Sequence, residues 1–174
     1  MPTSRGNMNR LLLISGALAC ALTGQALAAD WEVNTVSDAK KTSCFIASAK
    51  RPISDGYQEI TAQIIVDDKS ILVKSDSVLD PSFSDIGLKV GSREFVHADN
   101  VKDKQAALDS TYGKKDRQAT FDSNYEKIVP QFKAGRETTV QLRFWPTWPA
   151  TGTHSASFTL IGFTKAYLEA MNCK

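Results

Sequence analysis

Histidine and cysteine are scarce in this sequence, which limits the chemistry it can support. The 174 residues include two histidines and three cysteines, and the cysteines form no Cys-x-x-Cys pair. A G-x-S-x-G nucleophile motif and a glycine-rich phosphate loop are also missing. The sequence therefore predicts no catalytic residue, no metal site and no cofactor, and the chain is predicted not to be an enzyme.

Acidic residues are missing from the first 28 positions, where Arg5 and Arg10 are the charged side chains. Residues 11–22 are almost wholly apolar, and a small-x-small site, Ala26-Leu27-Ala28, follows. This order predicts a secretory signal peptide cleaved near Ala28, and hence a periplasmic or secreted protein. The apolar stretch is about half of the ~20 residues that a membrane-spanning helix needs, so no permanent membrane span is expected.

A lipid anchor is the alternative to cleavage near Ala28. Residues 17–20 weakly resemble a lipoprotein box that ends at Cys20, although the leucine lies two residues before the cysteine instead of three. A lipidated Cys20 would hold the protein at a membrane.

Net charge argues against a nucleic-acid partner. Arg5 and Arg10 account for the whole excess of 21 basic over 19 acidic residues, so the chain after Ala28 is formally neutral. A neutral chain lacks the basic surface that binds phosphate backbones. Residues 29–174 are enough for one domain with a substantial core, and no repeat or linker divides them.

Two cysteines remain after export, Cys44 and Cys173. An even pair in an oxidising compartment predicts a disulfide that joins the first strands to the C-terminus. A redox or metal role is the weaker interpretation, because the two histidines are isolated from both cysteines in the sequence.

Many short apolar segments separated by turn residues predict a mainly β protein, an antiparallel β-sandwich with one or two short helices. A break is expected at residues 52–56, a hairpin turn at 67–70, a two-residue turn at Gly91-Ser92, and a surface loop or short helix at 100–116. The strands are expected at residues 30–34, 44–47, 60–66, 71–74, 86–90, 93–97, 118–121, 138–145 and 155–161.

Two helices are expected late in the chain. Ser123 and Glu126 have capping-box spacing, and Gly135 marks a C-terminal stop. Pro130 would kink this helix or shorten it to a turn. Thr164 could cap a last short helix. The first helix would present one apolar face formed by Tyr125, Ile128, Val129 and Phe132.

Tryptophan and proline are concentrated after the strand at 138–145. Rigid aromatic surfaces bind partners at low entropic cost, so this segment is the candidate binding site, with Trp145, Pro146, Trp148 and Pro149 as its residues. The alternative is that Phe144 and one tryptophan close the end of the core. We expect Trp148 to be exposed, and Trp145 to pack inward.

The remaining polar candidates have structural explanations. His154 precedes two nearby serines, but side chains alternate along a strand, so a turn or solvent-exposed histidine is favoured over a catalytic base. Asp67, Asp68 and Asp80 could bind a cation, yet carboxylates in turns usually accept backbone N–H groups. Trp31, near the first strand, is expected in the core.

Several segments together resemble the invasion-associated locus B family. They are FKAG at 132–135, TVQLRF at 139–144, FTLIGFTKA at 158–166, IGLKVG at 86–91, and DWEV at 30–33 followed by Cys44. Members of that family commonly carry a further cysteine pair in the middle of the domain, which this chain lacks, and Cys173 is not expected from the family pattern. The resemblance implies an exported β-sandwich, linked in some pathogens to host-cell entry, with no catalytic residues to transfer.

Three functions follow as expectations. The first is a non-enzymatic envelope protein that binds an envelope or host-surface protein. The second is a small-ligand binder or an enzyme with an unrecognised site. The third is an envelope structural or stress factor without a discrete ligand. Fold resemblance alone does not choose among them.

Overall fold

Two antiparallel β-sheets and two short helices make up the described part of the chain, which in this computed structural model comprises residues 30–38, 41–104, 116–145 and 152–173. The sheets pack as a β-sandwich around a shared apolar core, so the predicted fold class is confirmed. The strands are β1 (Trp31–Asp38), β2 (Lys41–Ser48), β3 (Arg51–Ser54), β4 (Glu59–Val66), β5 (Ile71–Ser75), β6 (Gly87–Val90), β7 (Val96–His97), β8 (Asn100–Lys104), β9 (Asp116–Thr120), β10 (Glu137–Leu142) and β11 (His154–Thr159).

The larger sheet has the order β1-β2-β4-β5-β9-β8, with β3 also paired to β4, and the smaller has the order β11-β10-β6-β7. Alternation along the strands directs one face of each sheet to the core. In β4 this face carries Ile60, Ala62, Ile64 and Val66, all buried. Burial of such apolar side chains between the two sheets is the main source of stability.

The helices are α1 (Tyr125–Ala134) and α2 (Phe163–Met171), and the predicted apolar face of α1 is confirmed as buried. The predicted capping box is wrong. A single 3-10 turn, Asp122–Asn124, precedes α1, and Asn124 occupies the cap without a side-chain bond. Ser123 instead donates its backbone N–H to Asp99 Oδ2 at 2.7 Å. Pro130 lies within α1, which continues to Ala134 and is not shortened to a turn.

Thr164 does not cap α2, so that prediction is also wrong. Gly162 occupies the cap position with a φ of 87°, a left-handed conformation that favours glycine. The Thr164 hydroxyl points to α1, where it donates to the carbonyl of Lys133 at 3.4 Å.

Two segments predicted to be irregular contain strands. Pro52 lies in β3, which pairs with β4 from Arg51 opposite Ala62 to Ser54 opposite Glu59. Proline is tolerated there because β3 pairs on one side only, so the missing N–H can face away from the ladder. The ends of the expected loop at 100–116 are β8 and β9, which pair with each other. Residues 105–115 lie outside the described part.

The predicted turn at Gly91-Ser92 is present, since Arg93 N–H donates to the carbonyl of Val90 at 3.0 Å. The strand that follows is shorter than predicted. Regular pairing begins only where Val96 meets Leu88. The turn pairs Val90 with Arg93, whereas the β6–β7 register is shifted from this by one residue. Phe95 lies beside Gly87, whose missing side chain makes room for the ring.

Cys44 and Cys173 form the predicted disulfide, which joins β2 to the end of α2 across a sequence separation of 129. Trp31 is buried, as expected. Its indole N–H donates to the carbonyl of Thr159 at 2.8 Å, and its ring meets Phe163 edge-on at 4.9 Å. Both contacts fasten β1 to the C-terminal elements.

The expected signal peptide, including Cys20 and the cleavage site near Ala28, lies outside the described residues. Within the described ranges, no helix is long and apolar enough to cross a membrane.

Candidate functional site

The candidate site lies at the end of the β10–β11 hairpin. The two strands pair from Glu137 opposite Thr159 to Leu142 opposite His154, so the segment between them leaves the sheet at this end. Phe144 then forms an isolated bridge with Leu79, and Trp145 N–H donates to the carbonyl of Val78 at 2.8 Å. Pro146, Trp148 and Pro149 lie outside the described residues, so of the predicted binding residues the structure places Trp145.

The expected inward packing of Trp145 is wrong. Its side chain is 60% exposed, whereas Phe144 is 1% exposed and belongs to the core. Side chains alternate along an extended chain, so burial of Val140, Leu142 and Phe144 on one face directs Arg143 and Trp145 to the other. The sequence contains this signal, because the apolar residues Val140, Leu142 and Phe144 are all even-numbered, and this predicts that the odd-numbered Trp145 faces outward.

Arg143 anchors the exposed side of this chain segment. Its Nη2 lies 2.9 Å from Asp85 Oδ2, and its Nε donates to the same carboxylate. The guanidinium carbon also lies 4.4 Å from the centroid of the Phe83 ring, which is 36% exposed. A guanidinium that is bound to a carboxylate through two nitrogens and lies over a ring has a fixed orientation.

Asp85 is the acceptor that holds three elements together. Besides Arg143 it accepts a hydrogen bond from the Thr153 hydroxyl at 2.8 Å, and its backbone carbonyl accepts one from Gln141. Burial alone would raise the pKa of Asp85, but the hydrogen bonds from Thr153 and Arg143 and the positive charge of Arg143 outweigh it, and the pKa lies below its usual range. The carboxylate is therefore ionised at neutral pH, and the ion pair persists.

We call Phe83, Arg143 and Trp145 the hairpin-end surface. It combines two exposed aromatic side chains with an arginine whose position is fixed by neighbours. Aromatic residues and arginine dominate the energetic centres of protein interfaces, because they bury large areas and bind in defined orientations. Phe83 and Arg143 were not among the residues predicted from the sequence. The cation–π contact between them depends on two separate chain segments meeting, which no local pattern reports.

His154 packs against the core and does not meet the serines that follow it. His154 shares the inward face of β11 with Ala156 and Phe158, and its ring lies 5.7 Å from that of Phe144. The two neighbouring serines are exposed on the opposite face, so the structure does not bring them together with His154. His154 is therefore a half-buried residue at the start of β11, whereas a turn or solvent-exposed histidine was expected, and it is not placed to act on these serines.

Two of the acidic turn residues, Asp67 and Asp80, accept backbone hydrogen bonds, as predicted. Asp67 Oδ1 accepts the N–H groups of Lys69 and Ser70 at 2.8 and 2.6 Å, and Asp80 Oδ1 accepts that of Ser82 at 2.9 Å. Among the described side chains, no group of three or more His, Cys, Asp or Glu residues is arranged to hold a metal ion.

No family model, curated protein or solved structure matches this chain.

Proposed function

We propose that this chain is an exported, non-enzymatic envelope protein that binds an envelope or host-surface protein through the hairpin-end surface. The observation that carries the proposal is the exposure of Trp145 beside an arginine fixed by Asp85. Folding buries the neighbouring Phe144 but leaves Trp145 in solvent, where a large apolar ring gains nothing from the core. A partner that covers this ring would recover the free energy of burying it.

Export is supported by the basic-apolar-small order of the first 28 residues. The Cys44–Cys173 disulfide is consistent with it, since structural disulfides form and persist in oxidising compartments such as the periplasm. Cleavage near Ala28 would place the new N-terminus just before β1. N-terminal sequencing of the exported protein should begin at Ala29 or Asp30, whereas a chain that begins at an acylated Cys20 would indicate a membrane anchor.

The resemblance to the invasion-associated locus B family supports the same class of protein. The motifs at 132–135, 139–144 and 158–166 fall on the end of α1, on β10 and its extension, and on the β11–α2 connection. The resemblance does not extend the proposal to host-cell invasion, because likeness of fold does not fix function.

Capture from envelope extracts tests the proposal with three variants. Trp145→Ala should abolish or weaken capture of a specific protein while changing the free energy of unfolding by less than about 0.5 kcal/mol, since the side chain is exposed. Ile161→Ala is the matched control: this residue is 71% exposed but lies beyond the opposite end of β11, so capture should persist. Phe144→Ala should lower stability by about 3–5 kcal/mol.

The captured protein is then titrated against purified wild type and variants. A loss of affinity of about tenfold or more in Trp145→Ala, with Ile161→Ala unchanged, supports the proposal. Equal affinity in both variants contradicts it, as does a large loss of stability in Trp145→Ala.

A groove beside the disulfide supports the alternative of a small-ligand binder. Its volume is about 490 Å³, and both polar and apolar groups line it: Thr42, Ser43, Cys44, Asp67, Asp68, Ala170, Met171 and Cys173. A ligand held there should co-purify with the native protein, appear in the mass spectrum after denaturation, and be lost in Met171→Trp, which would fill the groove.

A further inference from the structure

The outer edge of β1 is the least protected strand edge of the described fold. Strand edges in natural proteins are usually blunted by short length, proline, lysine or cover from another element. In this chain β7 has two residues, β3 contains Pro52, β8 contains Lys102 and Lys104, and β11 lies against β3. β1 has eight residues, contains neither proline nor lysine, and pairs with β2 alone.

The ladder direction shows which backbone groups face outward. In the β1–β2 register, paired residues have numbers that sum to 79, as in Trp31 opposite Ser48. Asp30 and Ala49 follow the same rule, and Ala49 N–H donates to the carbonyl of Asp30, so this is a hydrogen-bonded pair. In an antiparallel ladder hydrogen-bonded pairs alternate with non-bonded pairs. Even-numbered residues of β1 therefore bond to β2, and odd-numbered residues direct their N–H and C=O groups to the free edge. These outward residues are Trp31, Val33, Thr35 and Ser37.

We propose that this edge pairs with β1 of a second copy of the chain, to form a two-fold dimer with a continuous sheet. This interface does not include the hairpin-end surface. A two-fold axis perpendicular to the sheet makes the two strands antiparallel and keeps equivalent faces together, so odd residues must meet odd residues. Each outward N–H then has a carbonyl opposite it on the second copy.

Backbone hydrogen bonding selects the register of this pairing. When the axis passes through Asn34, Val33 pairs with Thr35 of the second copy and Trp31 with Ser37, so every outward residue of β1 has a partner. An axis through Val33 places residue 29 opposite Ser37, and an axis through Thr35 places residue 39 opposite Trp31; both positions lie outside β1. The register centred on Asn34 satisfies the most backbone groups, and it places Glu32 opposite Val36 of the second copy.

Apolar exposure on the same strand agrees with this register. Val36 is 56% exposed in the isolated chain. In the dimer each Val36 lies against the methylene groups of Glu32 from the second copy, so part of this exposed area is removed from water.

The position of α2 also fits a second copy. α2 packs on both β1 and β2, so in the continuous sheet the two α2 axes lie two strand spacings apart, about 10 Å, which is within the distance of packed helices. Tyr167 faces α1 through its hydrogen bond with Tyr125, and α1 meets the β4–β5 turn through the bond of Tyr125 to Asp67. α1 therefore lies on the side of α2 away from the free edge. The Cys44–Cys173 disulfide holds the end of α2 beside Cys44, the partner of Thr35, so the last turns of the two α2 helices would meet near the two-fold axis.

Sedimentation velocity over a concentration series tests the dimer on the chain from Asp30 onward, which contains every described element. Val36→Asp places a carboxylate opposite Glu32 of the second copy on each side of the axis and should weaken the dimer, whereas Val36→Lys places an ammonium group there and should strengthen it. The two dissociation constants should differ by about tenfold. The double variant Val36→Asp with Glu32→Lys should restore dimerisation. Within one chain these two positions are four residues apart along the strand, so restoration reports contact between copies.

A backbone variant provides the second test. Thr35→Pro removes an N–H that β2 does not use, so the monomer should keep its circular dichroism spectrum and melting temperature within a few degrees, while the dimer is lost. A wild type that is monomeric at every concentration up to roughly 100 μM, a weak affinity for a specific interface, would overturn the proposal. A dimer with equal constants in Val36→Asp and Val36→Lys, or one unaffected by Thr35→Pro, would also overturn it.

Discussion

Asp55 shows how one carboxylate closes a turn of the larger sheet. It is buried at the β3–β4 turn, where its Oδ1 accepts the backbone N–H groups of Tyr57 and Gln58, each at 2.9 Å. Burial would raise the pKa of this carboxyl. The hydrogen bonds from Tyr57, Gln58 and the Ser77 hydroxyl outweigh burial and lower the pKa of Asp55 below its usual range. The folded state therefore prefers the ionised form more strongly than the unfolded chain does.

The stability contributed by Asp55 should depend on pH with a defined sign. Because the folded pKa is depressed, the contribution is complete above pH ~4–5 and is lost as pH falls through the folded pKa. Asp55→Asn should lower stability by about 1–2 kcal/mol at neutral pH and flatten the fall of stability in acid. Urea denaturation from neutral to strongly acidic pH measures both effects. Glu59→Gln is the control, because Glu59 is an exposed carboxylate in β4 next to the same turn. If the free energy of unfolding of Asp55→Asn falls in acid as steeply as that of wild type, Asp55 is not the source of this pH dependence.

At the scale of single residues, periodicity predicted the core well and the exposed aromatic badly. Trp31 and the buried face of α1 were predicted because their neighbours repeat with the period of a strand or helix. Trp145 was expected inside because it stands at the end of the strand, but the phase set by Leu142 and Phe144 places it outside. Residue type alone does not fix direction in a strand; the phase of the whole run does.

At the scale of elements, β6 and β7 show how a glycine can determine strand pairing. Gly87 is buried, and a Cβ built on it would lie 2.4 Å from the carbonyl oxygen of Val96 and 2.5 Å from the ring of Phe95. The backbone of β7 and the ring of Phe95 therefore occupy the space that a side chain at position 87 would need. The missing side chain at Gly87 therefore permits the β6–β7 pairing of Gly87 with His97 and of Leu88 with Val96.

Gly87→Ala should destabilise the protein by about 1–3 kcal/mol, the usual cost of inserting a methyl group into a filled site. Gly152→Ala is the matched control, because apart from its chain neighbours no atom of the described residues lies within 4 Å of a Cβ built there. Its free energy of unfolding should stay within about 0.5 kcal/mol of wild type. Thermal and urea unfolding of the two variants measure the difference. Equal stability of both variants would show that β7 and Phe95 move at little cost.

Sequence patterns predicted those elements whose structure depends on near neighbours. The β4–β5 and β10–β11 pairings each join segments of alternating apolar residues that are close in the sequence, and both pairings are present. Pro52 and Gly56 predicted a break where β3 lies, because both residue types usually end strands. Proline is tolerated in β3 because this strand pairs on one side only, and that depends on the order of the strands in the sheet. The cap of α1 was missed because Ser123 binds Asp99, 24 residues earlier in the chain.

At the scale of the whole molecule, the ends of the fold are joined by contacts that are distant in sequence. β1 enters the core through Trp31, which bonds to Thr159, and β2 is tied by Cys44–Cys173 to the chain just after α2. Strand order within each sheet could not be predicted from local patterns, because β4 pairs with β2 and β3 on one side and with β5 on the other. The disulfide could be predicted, because only two cysteines remain after the expected leader.

The disulfide should stabilise the fold mainly by restricting the unfolded chain. It joins cysteines separated by 129 positions, for which chain entropy gives about 4–5 kcal/mol, although strain and residual structure often reduce the measured value. Cys44→Ser with Cys173→Ser should therefore lower the free energy of unfolding by about 3–5 kcal/mol, and a reductant should destabilise wild type but not this variant. Hydrogen exchange should quicken first in the last turn of α2, because Cys173 anchors that turn to β2. Intact mass after alkylation without reduction should show no modified thiol in wild type. Alkylation of both cysteines would contradict the disulfide. Equal stability of wild type with and without reductant would show that the disulfide does not hold the two ends of the domain together.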